Sequence, residues 1–158
     1  MAYVFNMNEI LEMAEQIERN GAAFYRNAAK GISDSQKSKY LLELAQMEDQ
    51  HEKTFASMRA QLSEKEKTST LFDPEDETVL YLRALADTRV FFEKKIDTSS
   101  MEEILKEALT AEKDSIVFYL GMKDLVPEKF GKEKIDSIIK EEMEHIKLLG
   151  KKLVELKK

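Results

Sequence analysis

The sequence predicts an all-α protein, a four-helix bundle of two helical hairpins joined by a long crossover that contains an extra helix. Three observations carry that prediction. Apolar residues recur at spacings of three and four through most of the 158 residues. Only 5 Gly and 2 Pro interrupt a chain filled with Ala, Leu, Glu, Lys and Met, residues that lose little freedom in a helix. Turn signals then divide the chain into two long helical pairs with a polar stretch between them. The length suits one domain, which commonly takes about 100 to 150 residues. Residues 1–158 are therefore expected to form a single unit, with a hairpin at 8–65, a crossover at 66–99 and a second hairpin at 100–157.

Residues 8–30 place Ile10, Leu11, Ala14, Ile17, Phe24, Tyr25 and Ala28 on one helix face, and Gly31 is the expected stop. Ser33 with Gln36 has the spacing of a capping box. It would open a second helix with an inward stripe of Tyr40, Leu41, Leu44, Met47, Thr54, Phe55 and Met58, fraying near 63–70. The link from Glu64 to Ser69 is polar, and Asp73-Pro74 follows, so the chain should leave the bundle there. Residues 76–95 read as an amphipathic crossover helix with Val79, Leu82, Leu85, Ala86 and Val90 facing inward and Phe91 and Phe92 packing it down. Ser100 with Glu103 forms another capping box. It starts a helix carrying Ile104, Leu105, Ala108, Ala111, Val117, Phe118 and Leu120 to about Asp124. Pro127 and Gly131 make the turn into a last helix at 132–156, with Ile135, Ile138, Ile139, Ile146, Leu149 and Leu153 inward. One long crossover between two hairpins is the connection of ferritin-like bundles rather than of up-down-up-down bundles.

Composition narrows the function. Cysteine is absent, which excludes disulfides, thiolate zinc sites and cysteine-held iron. Redox chemistry would need oxygen and nitrogen ligands. A net charge of -6 with both signs interspersed gives no concentrated basic surface for nucleic acid. No apolar run approaches the roughly 20 residues that span a bilayer, and the start lacks a signal-peptide pattern, so a cytoplasmic protein with no membrane partner is expected.

The chain has two histidines, His51 and His145, and each follows a glutamate by three positions, Glu48 and Glu142. Residues i and i+3 share a helix face. An offset of 94 that superposes these two Glu-x-x-His motifs also superposes Glu18 on Glu112, Ala14 on Ala108, Phe24-Tyr25 on Phe118-Tyr119, and Leu41 and Leu44 on Ile135 and Ile138. Each half is one helix with a lone Glu and, 30 residues later, a Glu-x-x-His. The halves are a duplicated hairpin. Packing does not explain why charged positions would be preserved in the repeat, because a dry core has no use for carboxylates. One Glu from each of two helices plus a Glu-x-x-His from each of the other two is the ligand pattern of dinuclear carboxylate bundles. Four glutamates balance the charge of two divalent metals, and oxygen with imidazole suits iron or manganese, with zinc substitution possible.

On the motifs Ile17-Glu18, Met47-Glu48-Asp49-Gln50-His51, Ala111-Glu112 and Glu141-Glu142-Met143-Glu144-His145, the chain resembles the rubrerythrin branch of the ferritin-like superfamily, over 8–65 and 100–157. The resemblance implies a di-iron centre in which Glu48 and Glu142 bridge the irons. Glu18 with His51, and Glu112 with His145, are then terminal ligands. Tyr25 and Tyr119, each seven residues beyond a lone Glu, are placed to hydrogen-bond ligand carboxylates. The chain departs from rubrerythrins in two respects. It has no cysteines for a rubredoxin-type iron, so an external electron donor is implied. Ser115 also stands where those proteins have an additional glutamate.

The expected function is a di-iron oxidoreductase that reduces peroxide, or dioxygen. Two alternatives stay open: a ferroxidase handling iron for a larger shell, and a non-catalytic bundle that metal merely staples. A homodimer or larger homo-oligomer is expected.

Overall fold

In the computed structural model of the chain, the described residues are 6–68, 80–82, 84 and 97–158. Asn6 opens the first helix, α1 (Met7–Gly31), with a capping box: its side chain accepts the Glu9 N–H at 2.9 Å, and the Glu9 carboxylate accepts the Asn6 N–H at 3.1 Å. The helix ends at Gly31 as the sequence predicts, but for a different reason. The one left-handed glycine among the described residues is Gly131. At Gly31 a Cβ would lie 2.5 Å from Thr98 Oγ1, so glycine there lets the chain that enters the second hairpin pass close by.

Helix α2 (Ser35–Ala60) is capped by Asp34 instead of the predicted Ser33; the Asp34 carboxylate accepts the N–H groups of Gln36 and Lys37, both at 3.0 Å. An ionised acceptor complements the helix dipole better than a hydroxyl does. Beyond it, in the polar stretch where the second helix is expected to fray, stands a short helix, α3 (Glu64–Thr68). Ser63 and Glu66 exchange backbone-to-side-chain bonds at its start, a capping box that stabilises even one polar turn. Of the predicted crossover helix, Leu80, Tyr81, Leu82 and Ala84 are described and are helical. Leu82 is fully buried, and the Tyr81 hydroxyl donates to the Val117 carbonyl at 2.8 Å. Val79, Leu85, Ala86, Val90, Phe91 and Phe92 lie outside the described residues.

Helix α4 (Met101–Leu125) starts where Ser100 accepts the Glu103 N–H at 3.3 Å. Pro127, a 3-10 turn at Glu128–Phe130 and Gly131 with φ of 100° carry the chain into α5 (Lys132–Leu156), with the predicted bounds. Three apolar positions expected inside are exposed: Met47, Val117 and Leu120. On α4 the reason is geometric. Glu112 and Tyr119, seven residues apart, hold one face inward, and Ile116 and Met122 share it with them, while Val117 is turned away.

Helix α1 lies along α2 and α4 along α5, and the two hairpins meet through α1 with α4 and α2 with α5. The apolar core falls into two clusters. One holds Leu11, Ile17, Phe55, Ile116, Tyr119 and Ile139; the other holds Tyr25, Leu44, Ala45, Ala108 and Leu149. On every bundle helix the predicted ligands sit between residues of the two clusters. Burying a Leu or Ile side chain stabilises by about 1.5–3 kcal/mol, whereas burying a carboxylate opposes folding. The layer between the clusters therefore runs against the rest of the core. Among the described residues no helix is long and apolar enough to cross a membrane.

Candidate metal centre

The i, i+3 spacing sets Glu48 and His51 on one face of α2, and Glu142 and His145 on one face of α5. Glu18 on α1 and Glu112 on α4 complete the layer, and all six side chains are buried. His51 Nδ1 lies 2.7 Å from Glu142 Oε1 and 3.4 Å from Glu18 Oε2. His145 Nδ1 lies 3.2 Å from Glu48 Oε1, 3.3 Å from Glu142 Oε2 and 3.4 Å from Glu112 Oε1. The two imidazole rings are stacked with centroids 5.7 Å apart. Ligand-type atoms gather in two groups of four: Glu18, Glu48, His51 and Glu142; and Glu48, Glu112, Glu142 and His145. Within each group they lie within 4.8 Å of one another. Glu48 and Glu142 belong to both.

Crowding four carboxylates in a core disturbs their ionisation. Burial, with the neighbouring charges of Glu112 and Glu18, pushes Glu142 up to about 8. Burial and the charge of Glu142 hold Glu48 well above the usual carboxylate range. Burial acts against the charge on Glu112 too, but its close contacts with Glu142 and His145 outweigh it and lower its pKa. For His51, burial disfavours the cation, yet contacts with Glu142 and Glu18 prevail and raise it to about 11. His145 is raised to about 10 by Glu112 and Glu142 against the same opposition. In metal-free protein these shifts would favour protons on Glu48, Glu142, His51 and His145.

The two tyrosines reach across the repeat. Tyr25 on α1 donates to Glu112 Oε1 on α4 at 2.6 Å, and Tyr119 on α4 donates to Glu18 on α1. Each thus restrains the lone glutamate of the opposite helix. Burial and those carboxylates raise both phenols well above their ordinary pKa, so they remain donors. Ser115 turns back on its own helix, its hydroxyl donating to the Ala111 carbonyl at 3.0 Å.

Four residues around the layer escape a reading by periodicity. The outer nitrogen of His51 is 2.5 Å from Glu141 Oε2, and that of His145 is 3.2 Å from Met47 Sδ. Met47 and Glu141 are mates at the offset of 94, each preceding a Glu-x-x-His, so the repeat could have singled them out as a pair. Gly21, the mate of Ser115, makes room for the layer: a Cβ there would lie 3.2 Å from Glu48 Oε2. Glu15, one turn before Glu18, is buried against Arg59, with Nε 2.7 Å from Oε2.

The side chains fit a pair of metal ions. Glu18 Oε2, Glu48 Oε1, both carboxylate oxygens of Glu142 and the Nδ1 atoms of both histidines are buried without a well-oriented hydrogen-bond partner. Such atoms are costly unless something binds them. Carboxylate oxygen with imidazole nitrogen is the donor chemistry of iron, manganese and zinc sites, and a layer that carries protons in place of metal should release them on binding.

Among solved structures, the chain is similar to a protein from Thermotoga maritima described as a candidate ferritin-like diiron-carboxylate protein. The two share 27% identity with a TM-score of 0.70, over 98% of this chain and 99% of that one. No curated protein matches the sequence significantly. The rubrerythrin family model matches residues 9–96, which include Glu18, Glu48 and His51; Glu112, Glu142 and His145 lie beyond the matched stretch, at the corresponding positions of the internal repeat. With more than half of its length matched, and with the bundle and its buried glutamate and histidine layer in place, this chain belongs to the rubrerythrin family.

Proposed function

We propose that the chain, acting as one domain, is a di-iron oxidoreductase that reduces hydrogen peroxide, with dioxygen as the alternative oxidant. The observation that carries this reading is the pair of overlapping ligand groups that share Glu48 and Glu142. Glu18 and His51 would hold one ion, Glu112 and His145 the other, and Glu48 and Glu142, which belong to both groups, would be available to either. When bound, the iron pair supplies two electrons, one from each ion, which with two protons convert peroxide to water. The chain's own contribution is to fix the separation of the ions and their surroundings. The two shared carboxylates would keep the two positions close together. Tyr25 and Tyr119 hold the lone glutamates at the orientation binding requires. The apolar clusters on either side keep bulk water out and strengthen every charge interaction within. Because the chain has no cysteine, the electrons that restore the centre come from an external donor.

The test is to load metal-free protein with Fe(II) under anaerobic conditions and add stoichiometric hydrogen peroxide. Oxidation of both ions, seen in the near-ultraviolet absorbance and complete within seconds, is expected. Iron that stays reduced under peroxide would overturn the reading.

A further inference from the structure

The internal repeat makes the inner surfaces of the two metal positions nearly equivalent, but it does not extend to what stands behind the two histidines. His51 Nε2 meets the carboxylate of Glu141 at 2.5 Å. At the matching place His145 Nε2 meets the thioether of Met47 at 3.2 Å. Both outer residues are largely exposed, Glu141 at 61% and Met47 at 41%, and neither belongs to the cluster of six. A carboxylate accepting the outer N–H of an imidazole makes its other nitrogen a stronger donor to metal and fixes the ring, whereas a thioether sulfur is a weak acceptor. With Nε2–H turned outward to these partners, a neutral ring would leave its Nδ1 lone pair available to a metal ion.

We infer that Glu141 and Met47 are positioning residues that make the two metal positions unequal. The position built on Glu18 and His51 fills first and holds its ion more tightly, and the position built on Glu112 and His145 fills second. This rests on the metal reading above and adds an order of loading to it. The structural basis is a substitution at one pair of repeat mates, so exchanging the two residues should exchange the behaviour.

The experiment is a calorimetric titration of metal-free protein with Co(II), an air-stable probe. The wild type should bind two ions in two resolved steps, and His51→Ala should abolish the tighter one. Glu141→Met should weaken the tight step by about 10–100-fold, the usual cost of losing such an outer partner, and leave the second unchanged. Met47→Glu should tighten the second step by a comparable factor. Glu144→Gln removes an equally exposed charge from the same helix, one paired with Lys147, and should move neither step. Both outer residues lie at the surface, so their variants are expected to fold; far-ultraviolet circular dichroism checks this. Two equal steps in the wild type, a tight step that survives His51→Ala, or equal shifts in Glu141→Met and Glu144→Gln would each overturn the inference while leaving the metal centre intact. No binding at all would overturn both.

Discussion

The two hairpins present the same inner chemistry with different support. In the first, Glu18, Glu48 and His51 are accompanied by an ion pair between buried Glu15 and half-buried Arg59 and by Gly21 beside Glu48. In the second, Glu112, Glu142 and His145 have Leu109, Leu153 and Ser115 at those same repeat positions. What the halves keep in common is therefore the metal-type layer and the crossed tyrosines. What differs lies one contact further out. Positions tied to the chemistry are constrained by both halves at once, since each histidine touches glutamates from the other hairpin, whereas supporting positions answer only to their own surroundings.

The largest test of that division is to remove a shared side chain and compare it with an unshared one. Glu142→Ala should eliminate tight binding of both ions, while Glu18→Ala or Glu112→Ala should leave one, with metal counted by mass spectrometry after desalting. Equal losses from all three would mean that the halves do not share Glu142.

The layer also predicts how pH acts on metal-free protein. His51, His145 and Glu142 all have folded-state pKa values raised above their ordinary ones, to about 11, 10 and 8. Groups raised by folding stabilise fully below their unfolded pKa, and that contribution is lost as pH rises through the folded value. The melting temperature of the metal-free protein should therefore fall from about pH 5 to about pH 11, and Glu142→Gln should remove the part of the decline that ends near pH 8. Glu112, whose pKa is lowered, contributes oppositely and only at acid pH. Metal affinity should rise over the same range because binding displaces these protons. A flat melting profile would contradict the charge assignment.

The ion pair peculiar to the first half gives a smaller effect. Arg59→Leu leaves Glu15 buried without its partner and should cost about 2–3 kcal/mol in urea denaturation. The double change Glu15→Leu with Arg59→Leu, which copies the second half, should recover most of that loss. Failure of the double variant to recover would mean that the pair does more than pack.

Smaller still, Tyr25→Phe and Tyr119→Phe should each cost about 1–2 kcal/mol, since each strips a buried carboxylate of one hydrogen bond. Thermal melts of the two should agree closely, and a marked difference would show that the crossed contacts are unequal.

Much of this was legible in the sequence, and the exceptions have physical reasons. The helix order, the bounds of α5 and the six clustered side chains followed from periodicity and from the repeat, because helical spacing and Glu-x-x-His both depend on one face of one helix. The caps were harder. Ser33 and Asp34 both offer an oxygen to the start of α2, and only the backbone geometry decides between them. Met47 looked like core because it is apolar at a helical spacing; it is exposed because the neighbouring Glu48 and His51 must point inward. The tyrosines were legible as partners of ligand carboxylates, but the glutamate each one serves lies on another helix. No pattern within a single helix reveals a contact between hairpins.

The central claim is that two ions occupy the layer shared by the hairpins, and anaerobic titration of metal-free protein with Fe(II) tests it most directly. The account predicts saturation at two tightly bound irons per chain, with protons released as they bind. Saturation near zero would contradict it and leave the six buried side chains without a ligand.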